Sequence, residues 1–188
     1  NVYLMDTSSY ILFYNSEGLL TWDYRPMVVI AGICIMEENG RIENFYVTRS
    51  SRMGSEFLTN ELVDEMSAEV VARTAKLFSA SRPKTGEMEV VMGAGQSGIL
   101  LHEAMGHAFE ADFNRKNQSI FSDRMGKKIA EDFVTIVDDG TIPGNRGSLN
   151  FDDEGIPTEK TILVKDGTLT SYLHDRISAG YYKVKPTG

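Results

Sequence analysis

The hydrophobic pattern of this chain changes its period once, and that change constrains the fold more than any other feature. Residues 1–50 contain β-prone apolar runs separated by turn residues, including Asn39-Gly40, a sequence typical of a two-residue hairpin turn. From Leu58 to Leu77, apolar residues recur at helical spacing instead. We therefore predict an α+β fold in which antiparallel strands are followed by a long amphipathic helix.

The second half of the chain mixes strands and helices on a smaller scale. Arg82-Pro83 and Thr85-Gly86 end the long helix, so we predict two regions, 1–86 and 87–188. The elements predicted after residue 86 are a strand at 87–93, a motif-bearing helix from Ser97 to Phe113, a strand at 132–140, a hairpin over 161–173 that turns at Asp166-Gly167, and a last helix over 174–183.

Charge and apolar content exclude several classes of protein. The formal charge of −8, from 19 basic and 27 acidic residues, disfavours nucleic acid as a direct partner, because phosphate binding needs clustered positive charge. The longest apolar run, residues 27–36, is shorter than the roughly 18 residues of a membrane span, so we expect no membrane association. Cys34 lies in that run, and we interpret this single cysteine as a core thiol.

A glycine-rich turn precedes the motif-bearing helix. Gly93, Gly95 and Gly98 form a literal G-x-G-x-x-G between a predicted strand and a predicted helix, which is the pattern of a dinucleotide-binding turn. A Rossmann unit also needs a second parallel strand that ends in an acidic residue, whereas this helix runs into the polar sequence NRKNQSIFSDR. The pattern therefore favours close packing of the turn over nucleotide binding.

Two of the three histidines lie within the sequence HEAMGH, residues 102–107. The zinc-peptidase motif H-E-x-x-H places its histidines four apart on one helix face, but His102 and His107 are five apart. On a regular helix, at about 100° per residue, they would diverge by roughly 140°. One π-type turn brings them to the same side, and Gly106 lowers the cost of that distortion. The spacing therefore predicts a π-bulged helix with two imidazole metal ligands.

Glu103 directly follows the first histidine of this motif. A carboxylate that faces the open position of a metal can take a proton from water and later give it to the leaving amine of a peptide. The alternative is that His102 and His107 are ordinary histidines on a helix rich in leucine and alanine. The H-E prefix and the glycine beside His107 favour the metal site.

The sequence around this motif resembles the TldD/PmbA family, also called modulator of DNA gyrase proteins, and within it the TldD-type catalytic subunit. The similar stretches are GILLHEAMGHAFEADFNRK, VTIVDDGTIPGNRGSLNFDDEGIPT and the final VKPTG. The resemblance implies a zinc metallopeptidase that acts on unfolded or leader-bearing peptides held in an extended conformation. It also implies that His102 and His107 are zinc ligands and that Glu103 is the general base.

The same resemblance implies a cytoplasmic complex with a homologous non-catalytic subunit or with a second copy of the protein. The family's third zinc ligand is a cysteine in a later part of the sequence, and Cys34 matches no such motif. We therefore expect an internal fragment, in which residues 1–86 end the N-terminal region of a longer enzyme and residues 87–188 begin its catalytic region. Two histidines alone predict weak zinc binding by such a fragment.

Other polar residues are candidates for supporting roles. Glu110 and Asp112 are either partners that orient a ligand histidine or solvated acids. His174 is a further ligand candidate, although SYLHDR is typical of a helix start. The long glycine-rich loop offers three residues that either line a substrate channel or form a tight turn: Arg146, Asp152 and Asp153. The alternative function is a non-catalytic module that binds peptides or a partner subunit.

Overall fold

The computed structural model describes residues 1–95 and 97–188, which form two compact units. The first unit comprises Asn1–Leu12, Trp22–Glu87 and Pro143–Ser148, and the second comprises Phe13–Thr21, Met88–Ile142 and Leu149–Gly188. Both units contain helices and antiparallel strands, so the predicted α+β class is confirmed. Within the described ranges, no helix is long and apolar enough to cross a membrane.

The first unit is built on an antiparallel sheet with the strand order β1-β2-β3. Its strands are β1 (Val2–Tyr14), β2 (Leu20–Glu38) and β3 (Arg41–Ser51). The chain turns from β2 into β3 at Asn39-Gly40, where φ is 52° and 77°, the left-handed backbone that a two-residue hairpin turn requires. The predicted strand meander is therefore confirmed. Because the register places Val28 opposite Ser51, β3 covers only the C-terminal part of β2.

Helix α1 (Asn60–Ser79) is the predicted amphipathic helix, and it packs on this sheet. It begins after Thr59, whose side-chain oxygen accepts a hydrogen bond from the backbone N–H of Leu62. The core between the helix and the sheet consists of Ile30, Val47, Met66 and Val70. Cys34 packs against this core and is half-buried, in keeping with the predicted core thiol.

A short loop, Pro143–Ser148, also belongs to the first unit. The hydroxyl of Ser51 donates to the carbonyl oxygen of Gly144 at 2.7 Å, and the backbone N–H of Arg52 donates to the same oxygen at 3.0 Å. The Arg52 guanidinium donates to the carbonyl oxygen of Ser148 and also pairs with the buried carboxylate of Asp23, both at 3.0 Å. The end of β3 therefore holds both ends of this loop.

The second unit packs helices against a small antiparallel sheet with the order β4-β5-β6. Its elements are α2 (Ser97–Leu101), a π-helical turn (His102–Gly106), a 3-10 turn (His107–Phe109), α3 (Ala111–Arg115), β4 (Ile136–Asp139), β5 (Lys160–Lys165), β6 (Thr168–Leu169) and α4 (Arg176–Tyr182). Its buried core consists of Phe109, Ala111, Phe121, Ile136, Leu163, Val164, Leu169 and Tyr172. The predicted hairpin turn at Asp166-Gly167 and the predicted last helix are confirmed.

Two predicted strands differ from the structure. Residues 87–93 form no strand, because no described strand lies beside this segment to pair with it. Val91, in the middle of the segment, is 98% exposed. The strand predicted at 132–140 is limited to β4, because the chain first makes a turn in which the N–H of Val134 donates to the carbonyl oxygen of Glu131. A dinucleotide-binding turn follows directly after a strand, and the glycine-rich turn here has no strand before it.

The motif-bearing helix ends earlier than predicted, at Phe109 instead of Phe113. The N–H of Leu173 donates to the carbonyl oxygen of Phe109 at 2.9 Å, and the N–H of Ala111 donates to the carbonyl oxygen of Leu173 at 2.8 Å. This strand-like bridge extends the backbone of Glu110, whose ψ is 123°. A distant segment therefore ends the helix one residue before Glu110.

Candidate metal centre

The HEAMGH residues form the predicted π-helical turn. The turn runs from His102 to Gly106, between α2 and the 3-10 turn. Because a π turn holds more residues than an α-helical turn, it compensates for the five-residue spacing of the two histidines. The prediction of a π-bulged helix is confirmed.

Both imidazoles of the motif come together as a result. The ring centroids of His102 and His107 are 4.5 Å apart, and the ring planes are inclined by 63°. Three donor atoms lie within 4.8 Å of one another, one each from His102, Glu103 and His107. All three residues are exposed, so the group is accessible to an ion and to a substrate.

Gly106 leaves the space beside the His102 ring. A Cβ atom at residue 106 would lie 3.0 Å from His102 Nδ1 and 3.3 Å from Cγ, closer than ordinary van der Waals contact. The backbone of Gly106 is ordinary right-handed helix, with φ of −58°, which any residue adopts. The glycine is therefore needed for space, whereas the sequence suggested that it is needed for flexibility.

The two acidic candidates near the histidines have different partners. Glu110 Oε1 lies 2.6 Å from His107 Nδ1. This hydrogen bond raises the pKa of His107, and partial desolvation of the ring opposes the effect. Asp112 instead pairs with Lys116 at 2.8 Å along α3. The structure therefore brings Glu110, and not Asp112, to the histidine pair.

Asp138 of β4 is a carboxylate near the centre that the sequence did not single out. It lines a cleft of about 300 Å³ together with His102, Gly106, Phe109 and Glu110. Asp138 is exposed to solvent, but desolvation in this concave surface and then the charge of the next residue raise its pKa, whereas His102 lowers it. The sequence signal is only a pair of acids at the end of a strand, which does not indicate a contact with an earlier helix.

His174 is not a member of the donor group. It is 6% exposed, and its ring contacts the rings of Tyr172 and Tyr182 with centroid distances of 6.1 and 5.4 Å. Burial lowers the pKa of His174. This histidine is therefore part of an aromatic core beside α4.

Asp152 takes part in a tight turn of its own loop. Its Oδ1 accepts hydrogen bonds from the N–H groups of Glu154 and Ile156 at 2.9 and 2.8 Å. Arg146 and Asp153, the other two residues predicted for a substrate channel, are exposed. Their role in substrate binding stays a prediction.

The chemistry of the donor group fits zinc. Imidazole nitrogen and carboxylate oxygen are common zinc ligands, and donors at about 2 Å from one ion lie within about 4 Å of each other. The rings of His102 and His107 are exposed and their centroids lie 4.5 Å apart, so both are placed to offer a nitrogen to one ion.

Comparison with known proteins gives the family. A sequence profile of the PmbA/TldA metallopeptidase central domain matches residues 1–78, and a profile of the C-terminal domain of the same proteins matches residues 85–188. A relative from Buchnera aphidicola, named as a metalloprotease TldD homolog, is 40% identical over 191 residues. The match covers 97% of this chain and 40% of the relative, so the chain spans about two fifths of that protein's length.

Two solved structures share the fold. One is a Thermotoga maritima protein named as a candidate modulator of a DNA gyrase, with a TM-score of 0.81 and 23% identity. The match covers 100% of this chain and 42% of the Thermotoga maritima chain. The other is TldE from Thermococcus kodakarensis, with a TM-score of 0.67 and 18% identity. The match covers 92% of this chain and 38% of the TldE chain. With the two profile matches and the 40% identical relative, the conclusion is that this chain belongs to the TldD/PmbA family of metallopeptidases.

Proposed function

We propose that the protein containing this chain is a zinc peptidase in which His102 and His107 are metal ligands and Glu103 is the general base. The observation that supports this most directly is the group of three donor atoms within 4.8 Å on a π-helical turn. Such turns are rare and occur preferentially at functional sites. The turn also brings the two imidazoles side by side, as two ligands of one ion require.

Glu110 is proposed to orient His107. A neutral imidazole carries one proton, and a carboxylate 2.6 Å from Nδ1 holds that proton on Nδ1. The lone pair of Nε2 is then free to bind a metal. Glu110 therefore acts on the metal through His107, by fixing its tautomer and its ring orientation.

Glu103 is proposed to move the protons of the reaction. Zinc, when bound, supplies Lewis acidity, which lowers the pKa of a water molecule and polarises the scissile carbonyl. Glu103 would accept a proton from the attacking water and would later donate it to the leaving amine. Its exposed position beside both imidazoles supports this role.

The proposed substrates are unfolded or leader-bearing peptides, bound in an extended conformation. The family membership and the open position of the donor group support this substrate class, and Arg146, Asp152 and Asp153 are the proposed channel residues. We also propose an assembly with a homologous non-catalytic subunit or a second copy, which the fold shared with TldE supports. The single cysteine is in keeping with a reducing compartment, and we propose the cytoplasm.

The test uses the full-length protein and the variant Glu103→Gln, which keeps the shape of the side chain and removes the base. We expect unchanged zinc content and at least a 100-fold loss of cleavage of a disordered protein such as casein, since general-base catalysis contributes about 10²–10⁴-fold. Glu131→Gln, at an exposed glutamate outside the motif, is the matched control and should cleave like the wild type.

Two outcomes would contradict the proposal. One is cleavage at the wild-type rate by Glu103→Gln, and the other is a purified wild-type protein without stoichiometric zinc. Either result favours the alternative, a non-catalytic module that binds peptides or a partner subunit.

A further inference from the structure

Asp138 of β4 is a carboxylate beside the candidate metal centre that takes no part in the proposed proton transfers. It lines the cleft of about 300 Å³ that His102 and Gly106 also line. Desolvation and then the charge of Asp139 raise the pKa of Asp138, whereas His102 lowers it, so an attraction links the carboxylate to this imidazole. Asp138 and His102 therefore face each other across the cleft.

The place of Asp138 on β4 directs its side chain toward the motif. Ile136, two residues earlier, is 8% exposed and packs in the same core as Phe109, the last residue of the 3-10 turn. Alternate residues of a strand point to the same side. The register shift between Ile136 and Val137 places the extra residue, Leu163, on β5, so the alternation along β4 is kept. Asp138 therefore lies on the side of the strand that the motif-bearing helix covers.

The carboxylate of Asp138 is available for a partner. Within residues 1–95 and 97–188, no group forms a hydrogen bond or an ion pair with it, and the imidazole of His102 makes no hydrogen bond there either. The neighbouring Asp139 differs, because its Oδ1 accepts hydrogen bonds from the N–H and the hydroxyl of Thr141 at 3.0 and 2.6 Å. Of the two acids at the end of β4, Asp138 is therefore the one suited to act on the histidine.

Gly106 shows which nitrogen of His102 lies at the cleft. A Cβ atom at residue 106 would be 3.0 Å from His102 Nδ1, so Nδ1 lies over Gly106, at the floor of the cleft that Asp138 lines. Nε2 is the ring nitrogen farther from the main chain, and it stays free for a metal. His107 has the same arrangement, since its Nδ1 lies 2.6 Å from the Glu110 carboxylate. Each histidine therefore has a carboxylate near its Nδ1 atom.

We propose that Asp138 is a positioning residue for His102, and that it accepts a hydrogen bond from Nδ1–H when His102 binds a metal through Nε2. This hydrogen bond holds one tautomer and one ring orientation of the ligand. Glu110 orients His107 from the end of the motif, and Asp138 orients His102 from a separate strand. The inference rests on the proposed zinc site and adds the residue that fixes its first ligand.

The first experiment measures the zinc affinity of the full-length protein by chelator competition. Asp138→Asn keeps an acceptor oxygen but removes the charge, so we expect the dissociation constant for zinc to rise about 10–100-fold. Asp139→Asn is the matched control, because it removes the same charge one residue away and keeps an oxygen for Thr141. It should bind zinc like the wild type. An unchanged Tm of the metal-free variants shows that both are folded.

The second experiment detects the hydrogen bond itself in the cobalt(II) form of the full-length protein. An imidazole bound through Nε2 gives a paramagnetically shifted proton NMR signal from its Nδ1–H, and an acceptor slows exchange of that proton with water. We expect two such signals in the wild type. One of them should broaden by exchange in Asp138→Ala and return in Asp138→Asn, whereas Asp139→Asn should keep both. A merely structural role of Asp138 would not affect one signal alone.

Several outcomes overturn the inference and leave the proposed peptidase intact. They are an Asp138→Asn variant that binds zinc like the wild type, an equal loss of affinity in Asp138→Asn and Asp139→Asn, and retention of both Nδ1–H signals in Asp138→Ala. In the last case, a changed visible absorption spectrum of the cobalt form would identify Asp138 as a direct ligand. A wild-type protein that binds neither zinc nor cobalt contradicts the proposed function as well.

Discussion

At the level of single residues, Gly106 controls the position of the His102 ring. A methyl group at residue 106 would lie 3.0 Å from His102 Nδ1, so the imidazole must move away. We expect Gly106→Ala to weaken zinc binding by the full-length protein by about 10-fold or more, as loss of a group that orients a ligand does. Chelator competition measures this affinity.

Gly98→Ala is the matched control for this substitution. Gly98 lies in the same helix, and a Cβ atom there would meet nothing within 4 Å. Both substitutions raise helix propensity by about 1 kcal/mol, but only Gly106→Ala changes the space around His102. Equal affinities for the two variants would show that the contact with His102 is unimportant.

Glu110 and Asp112 give a second prediction at this scale. Glu110→Gln keeps a hydrogen-bond acceptor for His107 Nδ1 but removes the negative charge, so we expect zinc affinity to fall about 10–100-fold. The pKa of His107 should also fall toward its usual value, which an NMR titration of the metal-free protein follows. Asp112→Asn breaks only the exposed pair with Lys116 and should leave both quantities unchanged. A similar loss in both variants would indicate a general effect of charge.

The sequence singled out the histidine pair and Glu103 as a candidate site, and their donor atoms lie together in the structure, but the sequence did not distinguish between these two acids. Both Glu110 and Asp112 lie within five residues of His107, so spacing alone gives them equal weight. The backbone bridge to Leu173 decides between them, because it extends the chain at Glu110. That bridge joins segments far apart in the sequence, and local patterns carry no information about it.

At the level of the element, the π turn suggests a paired test of spacing. Deleting Ala104 places the histidines four apart, which a regular α-helix accommodates on one face. We expect this variant to keep zinc binding and a nearly unchanged Tm, because the flanking segments keep their direction when the extra residue is removed. Inserting one alanine after Ala104 places the histidines six apart, and we expect zinc binding to be lost.

Calorimetry for Tm and chelator competition for zinc measure both outcomes. Loss of folding on deletion of Ala104 would show that packing around the turn, and not the histidine spacing, requires the extra residue. Zinc binding by both variants would show that the spacing does not matter.

Elements with local signals were predicted correctly from the sequence. Turn chemistry at Asn39-Gly40 and Asp166-Gly167 located two hairpins, and helical spacing located α1. The segment 87–93 has the composition of a strand, but no described strand lies beside it, so the prediction of a strand from its composition was wrong. Strand formation depends on a partner that the local sequence does not contain.

At the level of the whole molecule, buried His174 links stability to pH. Burial lowers the pKa of His174 in the folded protein, whereas the unfolded chain has a histidine pKa of about 6.5. Below about pH 6.5 the unfolded state therefore binds a proton more readily, and stability falls as pH drops toward the folded pKa. Above about pH 6.5 both states are neutral at this residue, and the effect disappears.

The variant His174→Phe tests this linkage. It keeps an aromatic ring against Tyr172 and Tyr182, and the His174 Nδ1 that it removes has no hydrogen-bond partner in the described part of the chain. We expect the loss of Tm between pH 7.5 and pH 5.5, measured by scanning calorimetry, to be smaller in the variant than in the wild type. Equal losses would assign the pH dependence to other groups.

Composition and periodicity predicted the α+β class, but they did not predict which apolar residues of β1 and β2 are exposed. Alternating apolar residues in β1 and β2 indicate strands whichever side is covered. How much of the sheet α1 covers depends on how far the helix extends over it, and that is a property of the assembled unit. The predicted boundary between residues 86 and 87 stays a prediction.

The loop Pro143–Ser148 has a consequence for how this family can exchange sequence between lineages. The two profile matches meet between residues 78 and 85, which is the obvious point for recombination. A crossover there joins Ser51 and Arg52 of one parent to a loop from the other, although those residues hold Gly144 and Ser148 by hydrogen bonds. Because both acceptors are backbone carbonyl oxygens, we expect a viable chimera of distant relatives to need Ser51, Arg52 and a loop of the same length and backbone conformation.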